Sequence, residues 1–387
     1  MELTASDCFV DPDVAVARSL PSASFTEPSF LDLELSTIFG RHWLLAPQRT
    51  AAELRVDSRS LGELVRLRGS MAPLSLLDQP LFLLRDWEDR LHCFPNVCTH
   101  AWYPLVHGPG REKTLVCRQH GRKFDCAGHY LSQPGFASPG VPQVDDLCEL
   151  PVEEWGQLLF VALGKPERPF ATVFAEVQES LRCLALETCR RAPQEAEERI
   201  VDGNWKQHAW NYMDTFHLPF IHRAPGGLVD ALDMSSYVTE LYPSTALQWA
   251  YARDPAHGFD PDLLPPRFSH PTKRVFALWW FVFPNLTLNF YPWGLSVNVY
   301  APVPGCPNRT RFFWYQFVLD DEKYARRDAV WLNRQVDAED VDAMAQVRLG
   351  AQSRFAPRGR FAPGAEAGPH WFHRLVYQNV FETGAGA

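Results

Sequence analysis

The sequence predicts an α+β protein of two domains, on three observations. Residues 42–165 carry short β-like runs cut by Gly and Pro, such as Leu81–Leu84, Leu115–Cys117 and Leu158–Val161. Further along, the runs Arg274–Phe283, Leu286–Tyr291, Leu295–Pro302 and Arg311–Leu319 follow one another across tight turns, the pattern of an antiparallel meander. Asp320–Gln352 then reads as helical, so the second domain is an antiparallel sheet backed by helices, a helix-grip-like layering.

The elements can be taken in order. Residues 1–41 form a lead-in with a short helix near Glu27–Phe39, expected to pack on the second domain. Residues 42–165 are the small β domain, punctuated at His107-Gly108-Pro109-Gly110 and Cys126-Ala127-Gly128-His129. Residues 166–387 are the larger domain. In it, Asn204-Trp205-Lys206 opens a helix running toward His217, and a loop-rich stretch follows over 219–272. A chain of 387 residues suits two domains, and 46% hydrophobic content can fill both cores.

Composition removes some functions. The net charge of −9 with interspersed signs argues against a nucleic-acid partner, which selects a basic face. The start, Met1 to Asp7, has neither a basic segment nor an apolar core, and the longest apolar run, Val275–Pro284, is too short to span a bilayer. A cytoplasmic protein with no membrane contact is expected. The nine cysteines show no disulfide framework.

Two short motifs carry chemistry. Cys98-Thr99-His100 and Cys117-Arg118-Gln119-His120 each join one thiol to one imidazole. Two Cys and two His can hold zinc, but a zinc finger groups its cysteines and then its histidines. A Rieske [2Fe–2S] centre puts two thiolates on one iron and two imidazoles on the other, so loops that each supply one of both kinds fit it. Gly108, Gly110 and Gly121 allow tight loops around such a centre. His92, His107 and His129 lie nearby and read as surface or packing residues.

The second constellation lies on the helical segment. His217 and His222 are five apart, about 140° around a regular helix, so they do not share a face. Pro219 between them should break the helix and turn both rings inward. Two His with one carboxylate make the facial site of non-haem Fe(II) oxygenases. The acidic stretch Asp337-Ala338-Glu339-Asp340-Val341-Asp342 is the best source of that carboxylate. Asp337, Asp340 and Asp342 are its candidates, against the common alternative of a solvated acidic face.

These segments resemble the Rieske non-haem iron oxygenase α subunits. The resemblance is carried by Asn96–His100, Cys117–Asp125 and Asn204–His222. The extra loop cysteines of respiratory Rieske proteins are missing. The resemblance implies that Cys98, His100, Cys117 and His120 hold the cluster, and that His217, His222 and Asp340 hold a mononuclear iron. It also implies that Asp214 links the iron to the cluster of a neighbouring subunit in a head-to-tail homotrimer; His208 matches no role. The chain shows no nicotinamide or flavin motif, so electrons would come from NAD(P)H through a separate reductase or ferredoxin. With O₂ as co-substrate, a small organic molecule would be hydroxylated or oxidatively demethylated. Phe283–Leu286, Tyr291–Gly294 and His370–His373 resemble the subset of single-component-type α subunits, which includes oxygenases acting on quaternary ammonium compounds and related small molecules, although His370-Trp371 departs from the His-His expected there. The rival reading is a Rieske electron carrier without oxygenase activity; it would hold two irons per chain rather than three. A zinc-binding interaction protein, which would be colourless, is the third.

Overall fold

In the computed structural model, the described residues are 3–47, 60–136, 140–182, 184, 188–192 and 196–382. The chain divides into two compact units, one of residues 1–39 with 168–387, the other of residues 40–167.

The larger unit is built on an eight-stranded antiparallel sheet. In chain order the strands are β1 (Arg190–Arg191), β2 (Glu197–Asp202), β3 (Val238–Leu241), β4 (Thr245–Tyr251), β5 (Val275–Val282), β6 (Leu286–Tyr291), β7 (Gly294–Val303) and β8 (Cys306–Val318). Spatially they run β1-β8-β7-β6-β5-β4-β3, and β2 pairs along β8 beyond β1. Strand β5 is buried along its whole length, which explains its unbroken apolar sequence, Val-Phe-Ala-Leu-Trp-Trp-Phe-Val.

Four of these strands were not expected. The stretch 219–272, read as loop, contains β3 and β4. Their apolar residues are diluted by Thr, Glu and Gln, and the surrounding Pro and Gly obscure a pairing that depends on the neighbouring β5. Strands β1 and β2 likewise gain their definition from the long β8.

The helices that matter are α1 (Pro28–Glu34), α2 (Trp205–Met213), α3 (Leu218–Ile221), α4 (Asn333–Ala351) and α5 (Ala367–Tyr377). The Asp320–Gln352 stretch is three helical pieces rather than one. Leu332, at φ +57, turns the chain sharply before α4 begins. Helix α2 starts on a capping box: the Asn204 side chain accepts from Lys206 N, and Gln207 reaches back to Asn204 N at 2.8 Å. A fully buried ion pair then anchors it to the lead-in. Lys206 Nζ lies 2.7 Å from Glu34 Oε1, both side chains being inaccessible, and Trp205 Nε1 donates to Glu34 Oε2 at 3.0 Å. Helix α4 packs against α2 and β2.

The smaller unit holds three small antiparallel sheets. In the largest, Ser70–Leu76 and Gln79–Arg85 form a hairpin whose turn residues, Leu77 and Asp78, both have positive φ. Two consecutive positive values match the right-handed strand twist. Phe82, Phe94, Leu115 and Phe124 fill the core beneath.

Candidate metal centres

In the smaller unit, two loops of closely similar backbone follow the strands Leu91–Pro95 and Leu115–Val116. In the first, Cys98 N donates to Tyr103 O at 2.9 Å and Trp102 N donates to Cys98 O at 3.0 Å. In the second, Cys117 N donates to Arg122 O at 2.8 Å and Gly121 N to Cys117 O at 2.9 Å. The fourth residue after each cysteine has positive φ: +61 at Trp102 and +71 at Gly121. Of the glycines singled out from sequence, only Gly121 is used this way; its counterpart is an 82% exposed tryptophan.

Both thiols are buried and both imidazoles are exposed. The His100 and His120 ring centroids are 4.8 Å apart. Burial raises the Cys98 thiol pKa, opposed by the backbone N–H of His100 and Ala101, while neighbouring Cys117 raises it further. Sulfur thus faces sulfur and ring faces ring, with amides directed at a sulfur. This donor set suits a dinuclear cluster with a thiolate end and an imidazole end. Arg122 braces the loops from beneath: its guanidinium donates to Thr99 Oγ1 at 2.7 Å and Gln133 Oε1 at 2.6 Å, and pairs with Asp145 at 3.0 Å. Gln133 Nε2 in turn lies 2.9 Å from His100 Nδ1. His92 is buried between Asp86 and Glu149, and His129 pairs with Asp125, so each has a local partner.

In the larger unit, His217, His222 and Asp340 offer ligand atoms that all lie within 4.8 Å of one another. The helix does not break where Pro219 suggested. It ends at Met213, Asp214 is extended (ψ 111), and Pro219 sits in the first turn of the short α3, where a missing N–H costs nothing. His217 and His222 flank that single turn as its N-cap and C-cap. His217 keeps helical dihedrals (φ −75, ψ −22) and His222 leaves them (φ −95, ψ 36), so the two rings are carried on either side of one short turn.

Their Nε2 atoms are 3.3 Å apart, and Asp340 Oδ1 lies 3.6 Å from His217 Nε2 and 3.2 Å from His222 Nε2. Asp340 Oδ1 is buried without an aligned hydrogen bond. Three possible ligand atoms thus converge within 4.8 Å of one another, a donor set that suits a facial iron site. Burial opposes the charge on Asp340, but the two imidazoles outweigh it and hold its pKa at about 2. Burial likewise disfavours protonated His217, yet Asp214 and Asp340 lift it to about 9. Of the other aspartates, Asp337 borders the same cavity as Asp340 but is engaged by Arg199 at 2.5 Å, and Asp342 is exposed. Asp214 Oδ2 lies 3.4 Å from His217 Nδ1, and its Oδ1 accepts from Phe216 N. Sequence reading missed Glu339, whose Oε2 is 2.6 Å from His222 Nδ1.

Of the trio, Asp340 borders a cavity of about 110 Å³, together with Asp337, His208, Asn298 and the aromatic side chains of Tyr212, Trp279, Tyr291, Tyr300 and Trp331. No lysine or arginine lines it among the described residues. His208, left without a role by the sequence, stacks on Tyr300 with ring centroids 5.4 Å apart; burial lowers its pKa to about 4, so it is neutral.

A family described as "Ring hydroxylating alpha subunit (catalytic domain)" matches residues 186–382, and one described as "Rieske [2Fe-2S] domain" matches residues 60–148. The chain belongs to the ring-hydroxylating α subunits. This α subunit is the oxygenase component of a Rieske non-haem iron oxygenase, and its cofactors are a Rieske [2Fe–2S] cluster and a mononuclear iron that uses O₂. It is 26% identical over 383 residues to choline monooxygenase of Atriplex hortensis, covering 95% of this chain and 80% of the relative. It is 22% identical over 368 residues to the carnitine monooxygenase oxygenase subunit of Acinetobacter pittii strain PHEA-2, covering 92% and 90%. The fold matches a quaternary ammonium Rieske monooxygenase, CntA, with TM-score 0.74 at 19% identity over 98% of this chain and 99% of that one. It matches naphthalene 1,2-dioxygenase from Rhodococcus sp. with TM-score 0.70 at 15% identity over 95% of each chain.

Proposed function

We infer that this α subunit oxidises a small quaternary ammonium compound bearing a hydroxyl group. In this reading Cys98, His100, Cys117 and His120 hold the cluster, while His217, His222 and Asp340 hold the iron. The observation that carries the substrate is the cavity beside Asp340. Its walls are aromatic faces, which attract a trimethylammonium group by cation–π interaction. Asn298 Oδ1 is buried there without a hydrogen-bond partner, an acceptor suited to a substrate hydroxyl. With no lysine or arginine among the described lining residues, an anionic substrate would find no counter-charge on the wall. The relatives, choline monooxygenase and the carnitine monooxygenase oxygenase subunit, are named for substrates of the same class.

Iron held by the trio would supply O₂ activation, with electrons from NAD(P)H reaching it through a separate reductase or ferredoxin and the cluster. The residues' own part is to orient the substrate and exclude water: the aromatic walls seat the ammonium head and Asn298 fixes the other end. A head-to-tail trimer suits the exposed apolar residues beside both centres. Trp102 and Phe136 stand next to the cluster imidazoles, and Phe216 and Phe220 next to His217. Asp214 would then join the iron of one subunit to the cluster of the next.

The test is turnover with a surrogate reductase and NADH, comparing choline, carnitine and 3,3-dimethylbutanol, the uncharged isostere of choline. O₂ uptake coupled to choline oxidation is expected, with the isostere poorly used and Asn298→Ala raising KM for choline. Equal turnover of choline and the isostere would refute recognition of the cation.

A further inference from the structure

His222 is gripped at both ends of its ring. Its Nε2 faces Asp340 and His217, at 3.2 and 3.3 Å, while its Nδ1 lies 2.6 Å from Glu339 Oε2. The residue is only 1% exposed, so with Glu339 in place its ring is shielded from water. Glu339 is itself fixed: Gln335 Nε2, one turn earlier on α4, donates to its other oxygen at 3.0 Å. Adjacent positions on a helix diverge by about 100°. Asp340 can therefore face the shared point while Glu339 reaches behind the ring.

We propose that Glu339 is a positioning residue for the mononuclear iron, acting through His222. A carboxylate at Nδ1 demands a proton there, which leaves the Nε2 lone pair free and aimed at the metal. It also fixes the ring's rotation and makes the imidazole a stronger donor. The support of His217 is longer, 3.4 Å to Asp214, so the two histidines are not equivalent. His222 is the rigid ligand, and its rigidity originates on the same helix that supplies Asp340. The proposal rests on His217, His222 and Asp340 being the iron site.

The experiment measures Fe(II) affinity of the full-length, cluster-loaded chain by anaerobic competition with a chromophoric chelator. Glu339→Ala should weaken Fe(II) binding about 10- to 100-fold. Glu339→Gln keeps an acceptor oxygen in reach and should lose much less. The cluster absorption, from the other unit, should be unchanged in both and reports that the chain is folded. Co(II) substitution adds a readout specific to the mechanism: the paramagnetically shifted His222 Nδ1–H signal should persist in the wild type and Glu339→Gln and exchange rapidly in Glu339→Ala. Affinity within twofold of wild type in Glu339→Ala, with the Nδ1–H signal retained, overturns the proposal. So does complete loss of iron in Glu339→Ala while Asp340→Ala retains it, since Glu339 would then be the ligand. Wild-type affinity in both His217→Ala and Asp340→Ala would instead refute the iron site itself.

Discussion

Asp340 shows how one position on a helix decides the chemistry of an acidic cluster. Asp337, Glu339, Asp340 and Asp342 lie within six residues, yet each carboxylate meets something different: Arg199, His222, the ligand trio, and solvent. Replacing one of three ligands opens the metal to solvent, so His217→Ala or Asp340→Ala should take mononuclear iron from one per chain toward zero. Asp342→Ala should leave it in place. Iron analysis beside the cluster spectrum checks this, and full iron in Asp340→Ala would sink the assignment. The candidate thiol and imidazole motifs stand out in sequence because each packs its Cys and His into three or four consecutive residues. The carboxylate was legible only as a region, because its choice depends on the phase of α4 against α3. Glu339 left no local signal at all: its role exists only once residues 117 positions apart are brought together.

At the scale of elements, the buried ion pair between α1 and α2 sets how firmly the helix leading to His217 is held. Lys206 and Glu34 are both inaccessible, and Lys206 also lies over the Phe25 ring at 4.9 Å. Lys206→Met leaves a carboxylate stranded in the core and should cost about 3–5 kcal/mol, whereas Lys206→Met with Glu34→Leu should recover much of that. Equilibrium unfolding of the single and double variants measures the difference; equal losses would show that the pair is not coupled. Two histidines of the same layer give this unit an acid limit. Burial lowers His208 to about 4 and His373 to about 3. Both are neutral when folded and take a proton near 6.5 when unfolded. Stability is therefore fully present above that pH and falls as the pH drops, by about 1.4 kcal/mol per unit for each histidine until its folded pKa is reached. Melting curves between pH 7 and 4.5 should slope accordingly, and His373→Asn should remove part of the slope. Elements with strong internal patterns, such as β5 and β6, were readable from sequence; β3 and β4 were not, since partly polar strands acquire their identity from the neighbour they pair with. The helix end at Asp214 was misplaced for a similar reason. Proline was taken as the breaker, whereas the chain leaves α2 earlier and restarts with proline in a tolerated position.

At the scale of the whole molecule, the trimer reading makes two linked predictions. Light scattering should give three times the 44.1 kDa chain mass. Asp214→Asn should keep both metals but slow oxidation of the reduced cluster in a single turnover, because the bridging carboxylate is lost; a normal rate would count against that role. The two centres also differ in how much chain each needs. The cluster motifs lie within 98–120 and need only one small unit, whereas the iron trio draws on residues 217, 222 and 340. A chain emerging from the ribosome can therefore present cluster ligands long before it can present an iron site. On the proposed ligand set, a partial chain lacking α4 has the two histidines but not Asp340. The long sequence gap between the histidines and their aspartate then means that the iron site can be completed only after α4 has been made.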